Sequence, residues 1–172
     1  KPTAPLTDFW TAAPDAYVPP FDGLWLNPTS TNVTVANPFP VKTADQKAPM
    51  LVTVPNASSG QVKPAAGWPV VIFQHGITGN RTQALALADA MAAIGYAVVS
   101  IDKPLHGLTD VTSPLYVENT GFGAIADERT FDVDYQNNET GASGPDGIID
   151  DSGAWFVNLG SLLTARDNLR QS

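Results

Sequence analysis

The chain has 172 residues, a net charge of −8 and 15% charged residues, against roughly 25% in an ordinary soluble domain. No apolar run approaches the roughly 18 residues of a membrane-spanning helix. There is no cysteine for a disulfide, a thiolate metal site or a thiol nucleophile, and an acidic chain without a basic stripe is excluded as a nucleic-acid binder.

The start, Lys1-Pro2-Thr3-Ala4-Pro5, lacks the charged, apolar and small order of a signal peptide, so any such segment would have been removed ahead of it. Residues 1–68 are rich in Pro, Thr, Asn and Ser, with turn signals at Asp22-Gly23, Asn27-Pro28 and Asn37-Pro38. They predict loops and short strands. The aromatics Phe9, Trp10, Tyr17, Phe21 and Trp25 are expected to close a core edge rather than to meet lipid. The first strand is predicted at Met50-Leu51-Val52-Thr53-Val54, ended by Pro55 and followed by a loop. A second, Val70 to Gln74, has no polar alternation and predicts burial on both faces.

The next segment, Thr82 to Ile94, is dense in Ala, with cap candidates Thr78 and Asn80 before it and Gly95 as its stop. A helix there leads into a third strand at Tyr96-Ala97-Val98-Val99-Ser100-Ile101, so that the three elements form a βαβ unit. In such a unit the carboxyl ends of the two parallel strands lie at one edge of the sheet, where ligands of open α/β sheets bind. Two loops, 75–81 and 102–108, should meet there. Beyond them lies an acidic stretch, 127–151, that carries seven of the eight net negative charges. A last helix is predicted from about Leu159, with no Gly or Pro terminator before Ser172. The four Asn-x-Ser/Thr sequons, at Asn32, Asn56, Asn80 and Asn138, are expected by chance in so Asn- and Thr-rich a chain.

The sharpest chemical signal is Val71-Ile72-Phe73-Gln74-His75-Gly76-Ile77-Thr78-Gly79. A strand entering His-Gly-x-x-Gly and then a helix is the setting in which a serine hydrolase places one of its oxyanion amides. The Ile77 amide would be that donor, with His75 and Gly76 shaping the loop; a tight turn needing glycine for geometry alone is the equal alternative. The second signal, Asp102-Lys103-Pro104-Leu105-His106-Gly107, ends the next strand. Asp102 and His106 are weaker binding candidates, and Asp102 is expected to pair with Lys103 or to cap a turn. The oxygen donors Asp132, Asp134, Asp146 and Asp150 make calcium the candidate cation of the acidic stretch. The stretch fails the EF-hand template at Gln136, Asn137 and Ser143, and a solvated acidic insertion is the favoured reading.

The run from Gly67-Trp68-Pro69 through the His-Gly-Ile-Thr-Gly-Asn loop, Asp102-x-Pro-x-His-Gly and Asp150-Asp151-Ser152-Gly153, to Asn158-Leu159 and Arg166-Asp167-Asn168-Leu169-Arg170-Gln171, resembles the N-terminal part of bacterial extracellular, virulence-factor-type lipases. That resemblance implies a partial α/β-hydrolase fold over 38–172 after an irregular segment 1–37. It also implies a lipid or small-ester substrate, an extracellular or bacterial cell-surface setting, and no required cofactor. The fold's nucleophile sits in Gly-x-Ser-x-Gly, followed by the acid and then the histidine. No such motif is present; the nearest, Gly141-Ala142-Ser143-Gly144-Pro145, has Pro in place of the last Gly. Both histidines, His75 and His106, precede any position the nucleophile could take, so neither is expected to be the catalytic base. The expectation is an oxyanion loop whose nucleophile lies in a missing C-terminal catalytic part, with an exposed sheet edge or face suited to self-association. The competing reading is a non-catalytic extracellular binding module, dependent on calcium; a plain α/β scaffold without a site is the third.

Overall fold

Three Val-rich segments pair into one mixed sheet: β1 (Met50–Thr53), β2 (Val70–Phe73) and β3 (Ala97–Ile101), in the order β1-β3-β2. The computed structural model describes residues 10–157, 159–160 and 162–171; Phe9, the start Lys1–Pro5, Asn158 and Ser172 lie outside them. Strand β2 runs parallel to β3, with Ile72 opposite Val99, and β1 runs antiparallel, with Val52 opposite the same residue. β-Branched side chains pack well on such a pleated surface. Pro55, which has no N–H to give a ladder, follows the end of β1.

The crossover between β2 and β3 begins at Asn80, whose side chain accepts from the Thr82 N–H at 3.0 Å. This cap satisfies a donor that a helix start otherwise leaves open. A 3₁₀ turn, Arg81–Ala84, then runs into α1 (Leu85–Ala93). The helix closes in a Schellman arrangement: Tyr96 N–H reaches Met91 O at 2.9 Å and Gly95 N–H reaches Ala92 O at 3.0 Å, with Gly95 at φ 83°. Helix α1 packs against β1 and β3, yet none of its residues is fully buried. Its leucines and alanines are spread around the axis, with Asp89 alone marking a polar side, so no single stripe is available to sink into the sheet.

The expected two-sided burial of β2 is not found. Burial alternates along the strand, and Ile72 is 80% exposed. The reason is topological: β2 is an edge strand, and Met50, Val52, Val70 and Ile72 stand on one face of the sheet that the described residues leave open. A continuous apolar run therefore encoded strand type without encoding coverage.

After β3 the chain has little regular structure. Residues 102–157 form turns, one 3₁₀ turn (Val117–Asn119) and an isolated bridge between Gln136 and Ser143. Tyr116, Val117, Phe131, Val133 and Phe156 are buried there, among an unusual number of buried polar groups. Helix α2 (Leu162–Gln171) ties the end of the chain to its beginning: Asn168 accepts from Trp10 Nε1 at 3.2 Å and donates to Phe156 O at 3.1 Å, and Arg166 donates to Pro38 O. Of the bridges from Thr11 to Asn32 and from Ala12 to Pro40, the second crosses the expected boundary at 37/38. Among the described residues no helix is long and apolar enough to cross a membrane.

Gly95→Ala places a Cβ at a positive φ that only glycine adopts freely, and should cost about 1 kcal/mol, read as a lower urea midpoint with an unchanged slope.

Candidate active site

The parallel pairing of β2 and β3 brings the loops 75–81 and 102–108 together at the carboxyl ends of the strands. His75, at the end of the first loop's strand, is buried, and its Nε2 accepts the Lys103 N–H of the second loop at 3.1 Å. Since Nε2 accepts, it carries the lone pair, and the proton sits on Nδ1, which donates to Gly76 O at 2.7 Å. The ring thus fastens one loop to the other. Its Nε2 lies 3.7 Å from Asp102 Oδ1, too far for a hydrogen bond.

His106 is wholly buried, 5.0 Å from the His75 ring and 4.8 Å from Phe156, edge to face. Its Nδ1 bonds Pro104 O at 2.9 Å, while Nε2 is buried without a partner. A Cβ on Gly153 would lie 2.2 Å from that nitrogen, and Gly153 also has φ 76°, so glycine is required there on both counts. Burial pushes the His106 imidazole down to about 4, the Pro104 carbonyl opposing and the charges of Lys103 and Arg129 adding to the fall. Ser152 completes the seam: its hydroxyl donates to Gly79 O at 2.6 Å and accepts the Gly107 N–H at 3.1 Å.

Asp102 does not pair with Lys103. Its carboxylate accepts both the Arg81 N–H and the Arg81 guanidinium, because Arg81, at the start of the crossover turn, points inward to the strand end. The same guanidinium binds Glu128, and its Nη2 reaches Leu115 O at 2.7 Å. Glu128 in turn accepts the backbone N–H groups of Leu108 at 3.0 Å and Val117 at 3.1 Å, and Arg129 donates to Asp102 O at 2.6 Å. Complete burial pushes the Asp102 carboxyl above its ordinary value although Arg81 pulls it down. Burial alone would lower Arg81; the bonds and charges of Glu128 and Asp102 outweigh it and hold the guanidinium above its usual range.

The acidic stretch is therefore not simply a solvated insertion, since Glu128 and Asp150 are buried. Three of its carboxylates hold turns. Asp134 accepts the N–H groups of Asp146 and Gly147, Asp146 those of Asn138 and Ile148, and Asp150 those of Tyr135 and the Trp155 indole. Asp132 accepts the Tyr116 hydroxyl at 2.7 Å. Among the described residues no three acidic or histidine side chains come together in a set that could hold a metal ion.

The oxyanion-loop candidates lie at the surface of this cluster. Gly76 to Gly79 form a tight turn, closed by Gly79 N–H to Gly76 O at 3.2 Å. The positive φ falls on Thr78, at 69°, and not on either glycine. A Cβ on Gly76 would meet nothing within 4 Å, so the space above it is open. The Ile77 N–H has no acceptor among the described residues. Of the N-terminal aromatics, Trp25 is 99% exposed and closes no core edge, whereas Tyr17 holds its own turn through Asn27 O at 2.6 Å.

Sequence reasoning missed Arg81, Glu128, Arg129 and Ser152. One signal was present: a basic residue in the first turn opposes the positive end of a helix, which is tolerable when a buried carboxylate answers it. Glu128 carried no such mark, being one of eight acids between 127 and 151.

A family model described as platelet-activating factor acetylhydrolase, isoform II, a family of the α/β-hydrolase lipase superfamily, matches residues 36–106, about two fifths of the chain. The match takes in all three strands, the crossover, the loop 75–81 and residues 102–106 of the second strand-end loop. No curated protein and no solved structure matches.

Two outcomes test the cluster. Glu128→Ala leaves the Arg81 charge buried without its second carboxylate and should lower stability by about 3–5 kcal/mol in chemical denaturation. As pH falls, an unfolded His106 takes up its proton near 6.5 while the native ring resists until about 4. Stability is then whole above 6.5 and declines by up to about 3 kcal/mol on descent to 4. The urea midpoint should follow that slope in the wild type and flatten in His106→Leu; equal slopes would dismiss the assignment.

Proposed function

We propose that this chain forms the N-terminal part of a serine lipase or esterase acting on carboxylic esters of lipids, in an extracellular or bacterial cell-surface setting. The loop His75-Gly76-Ile77 supplies one oxyanion donor. The observation that carries the reading is the Ile77 N–H, left without an acceptor at the carboxyl end of a parallel strand, beside the open space over Gly76. The family match over residues 36–106 supports it independently, because the matched segment contains that loop and the matching family is one of lipid-ester hydrolases.

The chemistry follows from what the cluster fixes. A tetrahedral oxyanion needs donors already in place, since a donor that must first be oriented loses its advantage over water. Here the turn is fastened from below by the His75 bond to Lys103 N–H and by the Ser152 bond to Gly79 O. His75 spends its lone pair on that fastening and His106 has no access to solvent, so both histidines position the loops and neither moves a substrate proton. The nucleophile, its acid and its base come from residues outside these 172, where Gly-x-Ser-x-Gly would stand.

This chain alone should hydrolyse a short-chain p-nitrophenyl ester no faster than background. The native gene product, its length established by intact mass, should hydrolyse it. Proline suits the second position of a tight turn and deletes only the N–H, so Ile77→Pro in that product should lower kcat about 100-fold or more with little change in KM. Robust hydrolysis by residues 1–172, or an unchanged kcat in Ile77→Pro, overturns the reading.

A further inference from the structure

A cavity of about 420 Å³ opens between β1, the Arg81–Ala84 turn and the segment 115–126, and of the strand-end loops only Arg81 reaches its wall. Its volume lies within the range of small-molecule sites. The wall is mainly apolar, with Met50, Leu51, Leu115, Val117, Phe122 and Ile125 converging on it. Three of these, Met50, Phe122 and Ile125, are 58–67% exposed, which is costly for large apolar side chains unless something apolar covers them.

The charges of the wall run against those of the whole chain. In a sequence of 17 acidic and 9 basic residues, the lining holds no acid and two bases, Arg81 and Lys47. Arg81 is already answered by Asp102 and Glu128. Lys47 is exposed and makes no ion pair among the described residues, unlike Lys42, which meets Asp45 at 2.5 Å. One free cation at the mouth of an apolar cavity fits a ligand with an apolar body and an anionic end.

We infer that this cavity binds a single medium-length aliphatic chain bearing an anionic head group, with the chain against Leu115, Phe122 and Ile125 and the head group at Lys47. The inference rests on the lipid-ester reading only for the origin of such a ligand, an acyl product or a phosphate-headed lipid. Binding itself requires no hydrolysis.

The test is calorimetric titration of the 172-residue chain with decanoate and with decyl phosphate, each below its micelle concentration, and with decyltrimethylammonium as the opposite charge. At least one anion should bind saturably at one site, and the cation about tenfold or more weakly. Ala48 is exposed and lines the cavity, so Ala48→Trp fills the space from outside without entering the core. It should weaken the anion about tenfold, and Lys47→Glu about fivefold, as expected for an exposed charge pair, with both variants keeping the wild-type melting temperature. Preference for decanoate identifies the carboxylate head, and preference for decyl phosphate the phosphate. No saturable binding, unaltered affinity in Ala48→Trp, or equal affinity for the cation overturns the inference. Loss of ester hydrolysis in the native product with binding intact sinks the lipid-ester reading alone, and hydrolysis without binding sinks this one alone.

Discussion

The Arg81 guanidinium, buried between Asp102 and Glu128, is the interaction on which the rest of the strand-end region depends. Arg81 belongs to the crossover, Asp102 ends β3, and Glu128 comes from the irregular stretch beyond. Glu128 also takes backbone donors from Leu108 and Val117, and Arg129 returns to the Asp102 carbonyl. Two arginines and two carboxylates balance in charge inside a region that water does not reach. A buried ion pair of this kind adds little stability over a well-packed apolar core, but removing one partner is severe. Such a cluster favours a single arrangement of loops over a deep well.

That arrangement explains how a chain with so little regular structure after β3 can hold two loops in register. Apolar packing is thin there, limited to Tyr116, Val117, Phe131, Val133 and Phe156. Directional bonds take over from packing. His75 joins Lys103, Ser152 joins Gly79 to Gly107, and the carboxylates of Asp134, Asp146 and Asp150 cap the turns of the acidic stretch. The Gly76–Gly79 turn rides on this framework, with its outward N–H free and its inward groups engaged. A rigid base under an open donor is what oxyanion stabilisation asks of a protein.

The legible parts of the fold were those with local causes. The β-branched runs marked all three strands, Asn80 marked the crossover start, and Gly95 marked the helix end because few other residues tolerate its φ. The parallel relation of β2 and β3 follows from strand, helix and strand in succession, and it places the loops of His75 and His106 at one edge of the sheet. Coverage was not legible. Val70 to Gln74 reads the same whether one face or two are buried, and only the sheet order, with β2 at an edge, leaves Ile72 open. Trp25 likewise reads as core and stands in solvent.

The candidate site divides along the same line. The sequence by itself determined the loop motif, the helix behind it and the absence of a Gly-x-Ser-x-Gly nucleophile, since each is a matter of residue type at fixed spacing. Only the tertiary structure decided that Asp102 answers Arg81 rather than Lys103, that Glu128 is buried in the ion cluster while Asp134 and Asp146 cap turns, and that Thr78 rather than Gly76 takes the positive φ. Spacing constrains residues a few positions apart through the geometry of one element. The partner of a buried charge 21 or 47 residues away is chosen by which groups remain unsatisfied once the elements have packed.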